Sequence, residues 1–81
     1  MDVSFVDVIL IDAGKDPIKV IQALREITTR EQVLEMLDLA RAKQLVDSAP
    51  CVVVPNVNSE VGDRVKTALE KAGAAASLKA A

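Results

Sequence analysis

The first apolar block, Val3–Ile11, is rich in β-branched residues and almost free of polar ones. Such a run predicts a strand with both faces at least partly covered. Asp12-Ala13-Gly14-Lys15-Asp16 reads as a turn. Asp16 is placed to cap a helix whose first residue is Pro17, where a missing N–H costs nothing. The period then becomes helical: Ile18, Ile21, Leu24 and Thr28 share a face, and Val20 and Ile27 widen it. Thr28-Thr29 reads as an interruption, and Thr29-Arg30-Glu31-Gln32 fits a reciprocal helix cap. A second helix is therefore expected from about Arg30 to Asp47. Val33, Met36, Leu37 and Ala40 form its apolar face, with Lys43, Leu45 and Val46 in its last turns. Pro50 stops it, because proline disfavours helix at the residue before it. Cys51–Val54 is a short buried strand and Pro55–Asn58 a turn. Asn58 caps a third helix carrying Val61, Val65, Ala68, Leu69 and Ala72 on one stripe. Gly73 ends that helix in a left-handed conformation, and Ala74–Lys79 is a weak last strand.

The resulting order is β-α-α-β-α-β, within a single domain spanning residues 1–81. A helix between successive strands favours a small sheet with helices on one face. The fold class expected is α+β: a three-stranded antiparallel sheet with three helices packed on one side. Strand alternation sets Val3, Phe5, Asp7, Ile9 and Ile11 against Val6, Val8 and Leu10. With the second set toward the helices, Phe5, Ile9 and Ile11 lie outside.

Composition narrows the function. The 81 residues are 51% hydrophobic, enough for a packed core and far too apolar for a disordered tail. Lys plus Arg number 10 against 12 Asp plus Glu, a net charge of −2 that offers no basic field for a phosphate backbone. A lone Phe, with no Trp or Tyr, excludes an aromatic platform for bases, so no direct nucleic-acid binding is expected. Histidine is absent, which removes the commonest general base and zinc ligand. The single Cys51, between Pro50 and Val52, reads as a buried apolar thiol without a base to activate it. Asp12 and Asp16 lack the further oxygen ligands of a metal loop and read as turn and cap residues. An enzyme, a metal and a cofactor are all unexpected. The longest apolar runs, Val8–Ile11 and Cys51–Val54, are too short to span a membrane, and Met1-Asp2-Val3 opens no signal peptide. A cytoplasmic location is expected.

Three stretches carry a family resemblance. Val6-Asp7-Val8-Ile9-Leu10 is followed by Ala13-Gly14 and Ile18-Lys19-Val20-Ile21-Gln22-Ala23-Leu24-Arg25. The second stretch is Ala42-Lys43-Gln44-Leu45-Val46-Asp47-Ser48-Ala49-Pro50, and the third is Ala68-Leu69-Glu70-Lys71-Ala72-Gly73-Ala74. In this order they resemble the C-terminal domain of the bacterial ribosomal stalk protein family, over roughly residues 5–79. The resemblance implies a β-α-α-β-α-β domain. It also implies a docking face for translational GTPases (elongation, initiation and release factors) made by the first two helices and their turn. On that face Ile18 and Ile21 would supply apolar contact, and Arg25 and Lys43 the charges. Ile21 also fits the internal face of its helix.

This sequence departs from the family pattern in several places. Pro17 and Gln22 stand where the family usually has Lys, and no glycine occurs where its turn reads Thr-Gly-Leu-Gly-Leu. Thr28 lies fourteen positions before Ala42, against seven in the family, so seven extra residues are placed within Thr29–Glu35. Seven residues rotate a helical face by only about 20°, so the second helix is expected to absorb them. The family's N-terminal dimerisation segment and hinge are not in this sequence, which suggests an excised fragment or a free-standing relative. Ala75 and Ser77 stand where Glu is usual on the outer sheet face, and Val54-Pro55 replaces Lys-Glu. This loss of charge suggests a covered face and a homodimer centred on Phe5, Ile9 and Ile11. The rival location is the extended second helix around Leu34. A free-standing self-associating relative, or an adaptor protein, is the alternative to a GTPase-docking module.

Overall fold

The computed structural model describes residues 4–33 and 37–81. Its elements are β1 (Phe5–Asp12), α1 (Pro17–Arg30), α2 (Leu39–Asp47), β2 (Cys51–Asn58), α3 (Ser59–Lys71) and β3 (Ala75–Ala80). The strands form one antiparallel sheet in the order β2-β1-β3. The expected α+β architecture and element order are those observed. Helix α3 lies against all three strands, α2 lies against β2, and α1 packs on both α2 and α3.

The inner residues of β1 make the floor of the core. Val8 and Leu10 are fully buried, with Val53 and Val54 of β2 and Ala76 of β3 beside them. Val65 and Leu69 cover them from α3, Val20, Leu24 and Ile27 from α1, and Ala42 and Val46 from α2. Each large side chain removed from water contributes roughly 1.5–3 kcal/mol, so this one cluster is the main source of stability. On the opposite face Phe5 and Ile11 are exposed, as the alternation predicts, while Ile9 is half-buried. Val3 lies outside the described residues.

The caps explain where the helices begin. The Asp16 carboxylate accepts the Lys19 N–H at 3.3 Å, and Pro17 takes the first helical position. The Asn58 side chain accepts from Glu60 N–H at 2.8 Å to open α3. At the other end of α3, Gly73 has φ 100°. The Gly73 and Ala74 N–H groups donate back to the Glu70 and Leu69 carbonyls, at 3.0 Å each, in a Schellman closure. Gly14, at φ 76°, turns the chain against this closure, and a Cβ at Gly14 would run into the Gly73 carbonyl.

The second helix differs from expectation. Thr28 and Thr29 do not interrupt α1, which runs on to Arg30. The Thr28 hydroxyl is satisfied inside the helix, donating to the Leu24 carbonyl at 2.7 Å, and its side chain is buried with Ile27. Burial of that stripe outweighs the weak helix preference of threonine. The chain then turns at Glu31-Gln32, and α2 opens at Leu39, where Asp38 accepts the Arg41 N–H at 2.7 Å. Helix α2 is thus half the expected length; of the extra residues, Thr29 and Arg30 extend α1 and the described remainder, 31–33, is not part of α2. Among the described residues of this connection, 31–33 and 37–38 are non-helical. Val33 and Leu37 pack against the core from the connection itself, and Ala40 is exposed. Met36 and Leu34 lie outside the described residues.

Strand β2 also differs, continuing through the expected turn to Asn58. Pro55 is tolerated because β2 is an edge strand. Two register shifts against β1 take up extra residues of β2, with Asn56 at φ 51° in one of them. The Asp7 carboxylate accepts the Asn56 N–H at 2.8 Å and ties this irregular segment to β1. Cys51 is only partly buried; its thiol donates to the Leu45 carbonyl at 3.1 Å, and desolvation pushes its pKa up. That shift favours the unreactive thiol form.

Candidate functional site

Helix α1 presents two kinds of surface. Val20, Leu24, Ile27 and Thr28 point inward, while Ile18, Gln22, Arg25 and Thr29 fall at helical spacings on an exposed stripe. Ile18 is 65% exposed, the most exposed of the large apolar side chains among the described residues. Ile21 is only 7% exposed and belongs to the core cluster. The internal face therefore claims Ile21, and Ile18 alone of the two presents its side chain to solvent.

Arg25 is exposed but not free. Its Nε donates to the Leu37 carbonyl at 3.3 Å, which joins α1 to the segment opening α2. Beside this bond lies an open hollow of about 600 Å³, lined by Arg25, Glu26, Thr29, Arg30, Leu37 and Asp38. Arg30 is paired with Glu26 at 2.7 Å on the same helix. On α2, Ala42 and Val46 are buried, so Leu39 and Lys43, one turn apart, share an exposed stripe. Lys43 makes no hydrogen bond or ion pair among the described residues. Leu39 is 58% exposed. It is absent from the sequence-based site because a continuous helix from Arg30 would have given no reason to single it out. The signal that could have found it is Asp38, a cap residue directly before it.

Ile18 and Arg25 thus share one stripe of α1, and Lys43 shares a second stripe with Leu39 on α2. The Arg25–Leu37 bond links α1 to the segment before α2, whereas nothing bonds Lys43 to α1 among the described residues. Between them the two stripes carry two exposed aliphatic side chains and two cationic ones, a chemistry suited to a protein partner with apolar spots beside acids. Among the described residues no His, Cys, Asp or Glu group of metal-holding size gathers anywhere. Nor is any helix among them long and apolar enough to cross a membrane.

The chain matches the family model of the ribosomal protein L7/L12 C-terminal domain over residues 6–79. It is 44% identical over 73 residues to the large ribosomal subunit protein bL12 of Clostridium botulinum strain Langeland, covering 90% of this chain and 54% of that protein. The bL12 protein of the Loch Maree strain is similar to the same extent. The bL12 protein of Pseudomonas fluorescens Pf-5 is 42% identical over 73 residues, with the same coverage. The chain spans about half the length of these curated relatives. With the family model matching nearly end to end, and with the fold in agreement, the chain belongs to the ribosomal protein L7/L12 C-terminal domain family.

Proposed function

We propose that this chain is a non-enzymatic interaction domain that receives translational GTPases on the outer surface of α1 and α2. Ile18 and Leu39 supply apolar contact, and Arg25 and Lys43 supply charge. Ile21 acts from beneath, fixing the helix that displays Ile18. The observation that carries this reading is the exposure of Ile18 and Leu39 on helices whose other large aliphatic residues are at least partly covered. Membership of the ribosomal protein L7/L12 C-terminal domain family supports a partner from the translation machinery. The connection after Arg30 adds surface beside Arg25 and so reshapes the docking face without removing its cations.

The test is direct binding to elongation factor G, with Ile18→Ala, Lys43→Ala and Arg25→Ala compared. Lys43 is the cleanest probe, because its side chain makes no hydrogen bond or ion pair among the described residues. Each rim charge removed is expected to weaken binding about fivefold, with the loss shrinking as salt is raised. Unchanged affinity in all three variants refutes the site. No binding by the unmodified chain refutes the reading.

A further inference from the structure

The face of the sheet turned away from the helices carries a pattern that the docking reading does not use. On β1 the outward row is Phe5, Asp7, Ile9 and Ile11; on β3 it is Ala75, Ser77 and Lys79, followed by Ala81. Bulky side chains and an acid thus line one strand, and small side chains and a base line its neighbour. The pairing register places them in order: Asp7 opposite Lys79 and Ile9 opposite Ser77. Ile11 sits beside the irregularity that brings Ala75 opposite Asp12, and the Ala81 N–H donates to the Phe5 carbonyl at 3.1 Å.

We propose that this face binds a second copy of the same chain, with the two-fold axis running along the strands midway between β1 and β3. Such an axis lays each copy's β1 over the other's β3. Asp7 of one copy then meets Lys79 of the other, Ile9 covers Ser77, Ile11 covers Ala75 and Phe5 covers Ala81, each contact made twice. A two-fold interface requires a patch complementary to itself. This one is so in both size and charge. An axis along β1 would instead set Asp7 against Asp7, and an axis across the strands would set Asp7 against Ile11. Aligned packing, with strand directions within about 30°, is a standard arrangement for two sheet faces. Phe5 at 51% and Ile11 at 47% exposure are the side chains that gain cover. The overlap involves little more than two short strands per copy, below the roughly 800 Å² per partner of a standard interface. The dimer is accordingly weak, with a dissociation constant of order 100 µM. The face lies opposite the helices, so this inference stands independently of the GTPase reading.

Sedimentation equilibrium of the chain between about 10 µM and 1 mM tests it, with folding checked by circular dichroism. Asp7→Lys sets like charges against Lys79 of the partner, and Lys79→Glu sets them against Asp7. Each alone is expected to raise the dissociation constant about tenfold, given two affected ion pairs per dimer. Mixing the two variants in equal amounts restores an opposite-charge pair at both contacts, so the mixture is expected to regain the dimer. Asp7 also holds the Asn56 N–H, so if Asp7→Lys does not fold, Lys79→Glu carries the test alone. The proposal is overturned by a monomer at every concentration, by a dimer indifferent to Lys79→Glu, or by folded variants that fail to recover on mixing. A dimer lost instead on Leu34→Glu places the interface at the connection between α1 and α2 and overturns it equally.

Discussion

At the end of α3, Gly73 takes φ 100°, and two N–H groups reach back to the Leu69 and Glu70 carbonyls. At the end of α1, Gln32 takes φ 55°. The Gln32 and Val33 N–H groups reach back to the Thr29 and Thr28 carbonyls at 3.2 and 3.1 Å. The hydrogen-bond pattern is the same Schellman closure, and in both cases the next residue, Ala74 or Val33, folds onto the core. The residue in the left-handed position differs. Glycine adopts it freely, whereas an L side chain there crowds its own backbone at a cost of about 1 kcal/mol. The α3 closure is therefore set locally. The α1 closure is held by what surrounds it: Val33 and Leu37 packed on the core, and the Glu31 carboxylate paired with Arg64 of α3 at 2.9 Å. The junction at the proposed docking face is thus the one that depends on tertiary contacts.

The largest expected effect comes from making the two closures alike by damaging the better one. Gly73→Ala places a methyl group in open space, so no clash confuses the result. The left-handed strain, about 1–2 kcal/mol, exceeds what the less flexible unfolded chain gives back, so the net loss is read as a lower urea midpoint with an unchanged slope. A wild-type midpoint would show that the α3 closure does not depend on glycine. The converse substitution, Gln32→Gly, relieves strain but adds freedom to the unfolded chain. It is expected to raise stability by about 0.5 kcal/mol, the smaller and opposite change. A loss on Gln32→Gly would mean that the glutamine side chain holds the junction through contacts of its own.

The same contrast explains what the sequence could reveal. Helix α3 was readable because its signals are local: Asn58 before it, the stripe of Val65 and Leu69 within it, and Gly73 after it. Strand β1 was readable because alternation alone separates Val8 and Leu10 from Phe5 and Ile11. The break between α1 and α2 was not, because Gln32 gives no sign of a left-handed residue and Val33 and Leu37 keep a helical spacing through the connection. Both pack on the core from non-helical positions, which periodicity reads as helix. In β2, Pro55 suggested a turn, whereas the strand absorbs it at an edge with irregular register. The same error reached the docking face. Arg25 and Lys43 were assigned by resemblance, while Leu39 stands out only with Asp38 opening α2. Ile21, assigned by resemblance, is claimed by the core.

The smallest expected effect concerns the ion pair that backs the α1 closure. Arg64 donates to Glu31 through Nε at 3.0 Å as well as through its terminal nitrogen. The hydrogen bond and the neighbouring negative charge push the guanidinium pKa further above its ordinary high value. The charge on Arg64 is therefore present throughout the working pH range. The stability this shift contributes is lost only as pH rises through the folded-state value, beyond that range, so salt rather than pH is the useful variable. The Glu31 side chain is 13% exposed and that of Arg64 52%, so the pair is screened mainly from the arginine side. In the last turn of α3 another acid, Glu70, pairs at 3.4 Å with Lys66 of its own helix. Glu31→Gln keeps an acceptor for Arg64 but removes the charge, and a small drop in melting temperature is expected at low salt. That drop should fade in about 1 M salt, where the Debye length falls to about 3 Å. Lys66→Gln should change the melting temperature less, because its pair lies within one helix. If the two variants behave alike, the α1 closure does not rest on its link to α3, and the packing of Val33 and Leu37 holds Gln32 in place.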